Sequence, residues 1–73
     1  MYHMRVNIDG LEFPETQDRV KDQLDGIIGV KNVELSAGKD YLEVSYDDQT
    51  SEAEINSHLQ NNGYKVTDRD QLS

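Results

Sequence analysis

The chain predicts an α+β fold. Four antiparallel strands and two helices follow the order βαββαβ, with sheet order 4-1-3-2 and both helices on one face. Three observations carry that reading. Apolar residues alternate at Tyr2, Met4, Val6 and Ile8, and again at Leu42, Val44 and Tyr46, which is the period of a strand with one solvated face. Val20 with Leu24, and Ile55 with Leu59, recur four apart, the spacing of a helix stripe. Gly26, Gly29, Gly38 and Gly63 punctuate the chain between these periods.

Taken in order, the first strand covers Tyr2–Ile8, with His3, Arg5 and Asn7 outside, and Asp9-Gly10 turns the chain out of it. Pro14 suits the first helical position, where its missing N–H would be unpaired anyway. Glu15 and Asp18 add carboxylates at the positive end of the helix dipole. The helix is expected over Glu15 to Leu24 or Asp25. Gly26-Ile27-Ile28-Gly29 is a compact connector, and Val30, Val33 and Leu35 open the second strand. Ser36–Asp40 is a turn cluster, so this strand and Leu42–Tyr46 form a hairpin. Ser51 with Glu54 three residues on predicts a reciprocal capping box, and the second helix follows on Ile55 and Leu59 with Ala53 in support. Asn62-Gly63 stops it. Tyr64 and Val66 alternate with Lys65 and Thr67 as a last short strand, and residues 67–73 are expected to fray. The open sheet face should carry His3, Arg5, Asn7, Tyr41, Glu43, Ser45, Lys65 and Thr67, with Arg5 opposite Glu43.

Seventy-three residues make one domain, 1–73, and a chain this short leaves about 40% of its unfolded surface exposed. It has no cysteine, so packing and hydrogen bonds must supply all of its stability. No apolar run approaches the roughly 20 residues that span a bilayer, and Met1–Arg5 has no apolar signal core, so a cytoplasmic protein without membrane insertion is expected. Seven Lys/Arg against fifteen Asp/Glu give a formal charge of −8. That field repels nucleic acid and anionic lipid, and favours cations and basic protein surfaces.

In the ferredoxin-like arrangement, four segments carry a family resemblance: Val6–Leu11, Gly26–Leu35, Leu42–Asp47, and Ile55-x-x-x-Leu59-x-x-x-Gly63-Tyr64-x-Val66. Together they resemble the heavy-metal-associated, copper-chaperone-like domains across nearly all of Met4–Val66. The resemblance implies a Met-x-Cys-x-x-Cys metal motif between the first strand and the first helix. Here those positions read Leu11-Glu12-Phe13-Pro14-Glu15-Thr16, so Leu11 stands for the methionine, and Phe13 and Thr16 for the two cysteines. A soft ion such as Cu(I) selects thiolates and thioethers, which phenyl and hydroxyl groups do not replace. The resemblance therefore implies the fold without its ligands.

Two readings of Phe13 stay open. As a core lid it would fold over Leu11, Val20 and Tyr64; as an exposed ring on a rigid loop it would be an interface anchor. The exposure of the ring separates them. Asp9, Glu12, Glu15 and Asp18 are oxygen donors around the same joint but match no calcium loop, and read as a solvated acidic turn, as do Asp47, Asp48 and Glu52. Met1-Tyr2-His3 has a spacing that chelates Cu(II) or Ni(II) through a free amine, amides and imidazole, at the expense of strand pairing. His58 reads as a partly exposed surface histidine on the second helix. Catalysis is not expected. Acylphosphatase-like enzymes of this topology need an arginine in the first loop, where this chain has Glu12 and Glu15, and no serine sits on a strained elbow near either histidine. RNA-binding relatives of the topology need basic, aromatic sheets, and Tyr41 alone fits.

The expectation is a metal-free, cofactor-free domain that works as a protein-interaction module through Leu11, Phe13, Pro14, Thr16 and Tyr64. Its partner would be another protein, with a basic surface favoured by charge. The alternative is residual heavy-metal binding or transport through carboxylates or histidine, with a Zn(II)- or Cu(II)-type ion. Self-association through a sheet edge is the third reading.

Overall fold

The computed structural model describes residues 1–72. Its elements run β1 (Tyr2–Ile8), α1 (Pro14–Asp25), β2 (Val30–Leu35), β3 (Tyr41–Tyr46), α2 (Glu52–Asn61) and β4 (Val66–Gln71). The sheet order is β2-β3-β1-β4, with every neighbouring pair antiparallel. This is the expected 4-1-3-2 sheet with two helices. Met4, Val6 and Ile8 of β1 and Leu42, Val44 and Tyr46 of β3 point to one face, and Val20, Leu24, Ile55 and Leu59 cover it. All ten are buried. The alternation works because a strand sends successive side chains to opposite faces, so one register commits every apolar residue to the helix side.

The hairpin forms with Arg5 opposite Glu43, as expected, and the Arg5 guanidinium lies 3.3 Å from the Glu43 carboxylate. Both side chains are about two-fifths exposed, so the pair contributes under about 1 kcal/mol. Gln17 of α1 donates its side-chain amide to the Ser36 carbonyl at 2.8 Å, which ties the hairpin turn to the start of α1.

The C-terminal segment departs from expectation. Residues 67–71, expected to fray, belong to β4, with 68–71 paired along β1, and the Leu72 N–H donates to the His3 carbonyl at 2.8 Å. Ser73 lies outside the described residues. Polarity misleads here because β4 is an edge strand, where backbone ladder bonds suffice and charged side chains stay in water. Tyr64 and Lys65 precede the strand instead of belonging to it. A register shift opposite Asn7 and Ile8 leaves Thr67 unpaired, so Asp68 and Asp70, not Lys65 and Thr67, share the open face with Asn7 and Arg5.

Two smaller expectations also change. Ser51 Oγ accepts the Glu54 N–H at 3.2 Å, but Glu54 turns its carboxylate to the Thr50 hydroxyl at 3.1 Å, so only half of the capping box forms. Ala53 is exposed, which leaves Ile55 and Leu59 as the buried stripe of α2. No helix among the described residues is long and apolar enough to cross a membrane.

Candidate functional site

The β1–α1 junction is held by backbone bonds at every step. Asp9 donates its N–H to the Lys65 carbonyl at 2.9 Å, Leu11 to Ile8 at 3.1 Å, and Phe13 to Gly10 at 3.2 Å. Gly10 makes the turn with φ of 85°, a left-handed conformation that any side chain would strain. Leu11 is fully buried. It therefore pins the loop from below and offers no contact surface, which corrects its expected place among the contact residues.

Phe13 is the N-cap of α1. Its backbone is extended (φ −82°, ψ 131°), its side chain makes no capping bond, and its carbonyl accepts the Gln17 N–H at 3.0 Å. Pro14 takes the first helical position, as expected. Phe13 is 59% exposed, which separates the two readings of the residue: it stands out from the loop and does not lid the core. Two local costs coincide at this one position. Ser, Thr, Asp or Asn at an N-cap is worth about 1 kcal/mol more than an apolar residue, and a ring in water forgoes most of its burial energy.

Around the ring, Glu12, Pro14 and Glu15 are exposed and Thr16 is half-buried. Tyr64 is half-buried against the core and immediately precedes Lys65, whose carbonyl holds Asp9, so it sits at the same end of the molecule. Asp9, Glu12, Lys39, Asp40 and Thr67 line a shallow polar depression beside the loop. Its three carboxylates against one lysine keep the surroundings of the ring negative.

Phe13 and Thr16 occupy the positions where the resemblance implies thiolates, and they do not fit a soft metal ion, having no sulfur between them. Hard or borderline ions fare no better among the described residues, where no three His, Asp or Glu side chains converge as a ligand set. His3 is committed elsewhere: its Nδ1 lies 2.9 Å from Ser45 Oγ, and the chelate of the first three residues would take Tyr2 and His3 out of the β1–β3 ladder. His58 is half-buried, as expected, with Nε2 3.3 Å from Gln23 Oε1 across the two helices.

The sequence reading passed over the opposite end of the sheet. Tyr2, in alternation with the buried residues of β1, is nonetheless 47% exposed and stacks on Tyr46 with ring centroids 5.5 Å apart. Aromatic residues at the paired ends of two adjacent strands are the signal that could have singled them out.

No family description matches the chain, and no curated protein matches it. Solved structures do. The copper-binding domain of HMA7, a P-type ATPase, superposes with a TM-score of 0.81 at 18% identity, covering 100% of this chain and 96% of that one. The yeast copper transporter domain Ccc2a gives 0.79 at 18% identity over 100% and 97%. The metallochaperone CsoZ gives 0.77 at 23% identity over 93% and 100%. The chain has the copper-chaperone fold. At these identities the likeness is one of backbone architecture, and the absence of cysteine means that the fold here stands without the thiolates of a Cys-x-x-Cys motif. Leu11, buried at the loop, shows how: the space is filled by a side chain that needs no ligand to hold it.

Proposed function

We propose that this chain is a protein-interaction module on a copper-chaperone scaffold, docking through Phe13 and the loop around it and carrying out no catalysis. The exposure of Phe13 at a helix N-cap carries the reading. Locally the residue costs stability twice, and consistency between local preference and fold fails in native proteins mainly where function requires it. An aromatic side chain with only two rotatable angles, set on a loop fastened by three backbone hydrogen bonds, loses little entropy on docking and is a suitable interface anchor. Pro14, Thr16 and Tyr64 form the surrounding contact surface, and Asp9, Glu12 and Asp40 favour a partner with basic residues around its aromatic pocket.

A photo-crosslinking residue placed at Glu12 tests the proposal. The expected result is a discrete adduct with one protein, identified by mass spectrometry, that disappears in Phe13→Asp while the domain keeps its amide spectrum. An adduct unchanged by Phe13→Asp would remove the docking role.

A further inference from the structure

The molecule has a second surface feature, remote from the Phe13 loop. Tyr2 begins β1, and Ile8, which leads into that loop, ends it; six strand steps put about 20 Å between them. At the Tyr2 end a groove of about 510 Å³ runs between the Tyr2–Tyr46 stack and the entry to α2. Asp48, Thr50, Ser51, Glu52 and Gln71 complete its walls.

The aromatic wall is preorganised. Tyr46 is buried to 4% exposure, its hydroxyl donates to Gln71 Oε1 at 2.7 Å, and its ring backs Tyr2 at an interplanar angle of 29°. Tyr2 is thereby held with part of its surface in water. The polar wall is negative. Ser51 Oγ takes the Glu54 N–H in the first turn of α2, and Glu52 and Glu54 put carboxylates on the same turn, so the helix end disfavours an anion. Arg69 pairs with Glu52 at 3.6 Å, whereas Asp48 is exposed with no ion-pair partner among the described residues.

We infer that this groove takes the arginine side chain of a protein partner, its guanidinium stacked on Tyr2 and hydrogen-bonded to Asp48. Three properties select that occupant. A π face with adjacent carboxylates attracts a cation, and arginine combines planar stacking with a forked donor set that ammonium lacks. The groove is open along one side, whereas pockets for free small molecules enclose most of their ligand, so the occupant belongs to a larger body that remains outside. The formal charge of −8 draws basic segments towards the molecule, and the exposed Asp48 favours the cation at this groove. The same chemistry already occurs within the chain, where Arg5 Cζ lies 5.0 Å from the centroid of the Tyr41 ring.

The test is an amide-shift titration with the blocked tripeptide acetyl-Gly-Arg-Gly-amide, its neutral citrulline isostere, and free argininamide. The inference expects saturable shifts at Tyr2, Tyr46 and residues 48–52 with the arginine peptide, and at least about fivefold weaker binding of the citrulline peptide. Tyr2→Leu, which keeps the bulk at the strand end, should weaken binding about fivefold; Tyr2→Phe should restore it, and Ala37→Ser, in the exposed β2–β3 turn outside the groove, should leave it unchanged. Absent or unsaturable shifts, equal binding of citrulline, or shifts centred on Asp9 and Glu12 would each overturn the inference. Tighter binding of free argininamide than of the peptide would overturn the assignment to a protein side chain.

Discussion

Replacing Phe13 with aspartate should leave the stability of the domain within about 1 kcal/mol of its starting value. Two opposing terms set that figure. Phe13 is 59% exposed, so about two-fifths of its burial energy is at stake; full burial of a phenylalanine is worth about 1.5–3 kcal/mol, which makes the loss close to 1 kcal/mol. Aspartate at the N-cap can accept an N–H from the first turn of α1, where Phe13 accepts none through its side chain, and that gain is also about 1 kcal/mol. A phenylalanine that lidded the core would behave differently: truncating it costs about 3–5 kcal/mol, much of the total stability of a domain this size. Urea unfolding followed by circular dichroism measures the difference. The midpoint should barely move and the slope should not change. A loss above about 3 kcal/mol would refute the reasoning, because it would mean that the ring is a structural member of the core.

Leu11→Ala should have the opposite profile, losing about 2–5 kcal/mol in the same assay, because Leu11 is fully buried beneath the loop. Gly29→Ala should cost at least about 3 kcal/mol by thermal unfolding: φ is 104°, and a Cβ would lie 2.9 Å from both the Thr50 nitrogen and the Asp47 carboxylate. The Gln49 N–H, donated to Asp47 Oδ1 at 2.9 Å, and then Lys31, at 3.2 Å, hold the Asp47 carboxyl below its ordinary value of about 3.8. A folded-state value below the unfolded one adds stability that is fully present above pH 3.8 and is lost as pH falls through the folded value, so Asp47→Asn should flatten the acid limb of a stability–pH curve below pH 4. Titration with Zn(II) or Cu(I) should produce no saturable amide shifts at residues 11–16, since Phe13 and Thr16 supply no sulfur and no third donor converges there.

Most of the architecture was readable because each face of each element had one consistent period. Met4, Val6 and Ile8 admit one register, and Ile55 with Leu59 admits one helix face, so local pattern and global packing agree. The tail was misread for a physical reason: Val66–Gln71 belongs to the sheet through backbone bonds to β1, and its side chains Asp68, Arg69 and Asp70 carry no apolar signal. The bulge at Thr67 was equally silent, yet it inverts the face of every residue after it and sends Arg69 towards Glu52 on α2. At the candidate site the residues were legible but their exposure was not. Leu11 and Phe13 are two apolar residues one position apart, and only the backbone path decides that one is buried and the other stands in water.

That division of labour lets this fold close the loop without thiolates. In a metal-binding loop, ligand positions and packing positions must be satisfied together. Here the packing position is met by Leu11 alone, and the turn is closed by the bonds from Asp9, Leu11 and Phe13, none of which involves a side chain at the positions of the missing thiolates. The Phe13 side chain is thus released from structural duty: changing it should alter what the loop presents with little consequence for how it folds. Polar N-caps are the more stable choice at such a position. An exposed phenylalanine at this cap is the locally less stable choice, and that local cost is the observation on which the proposed docking role rests.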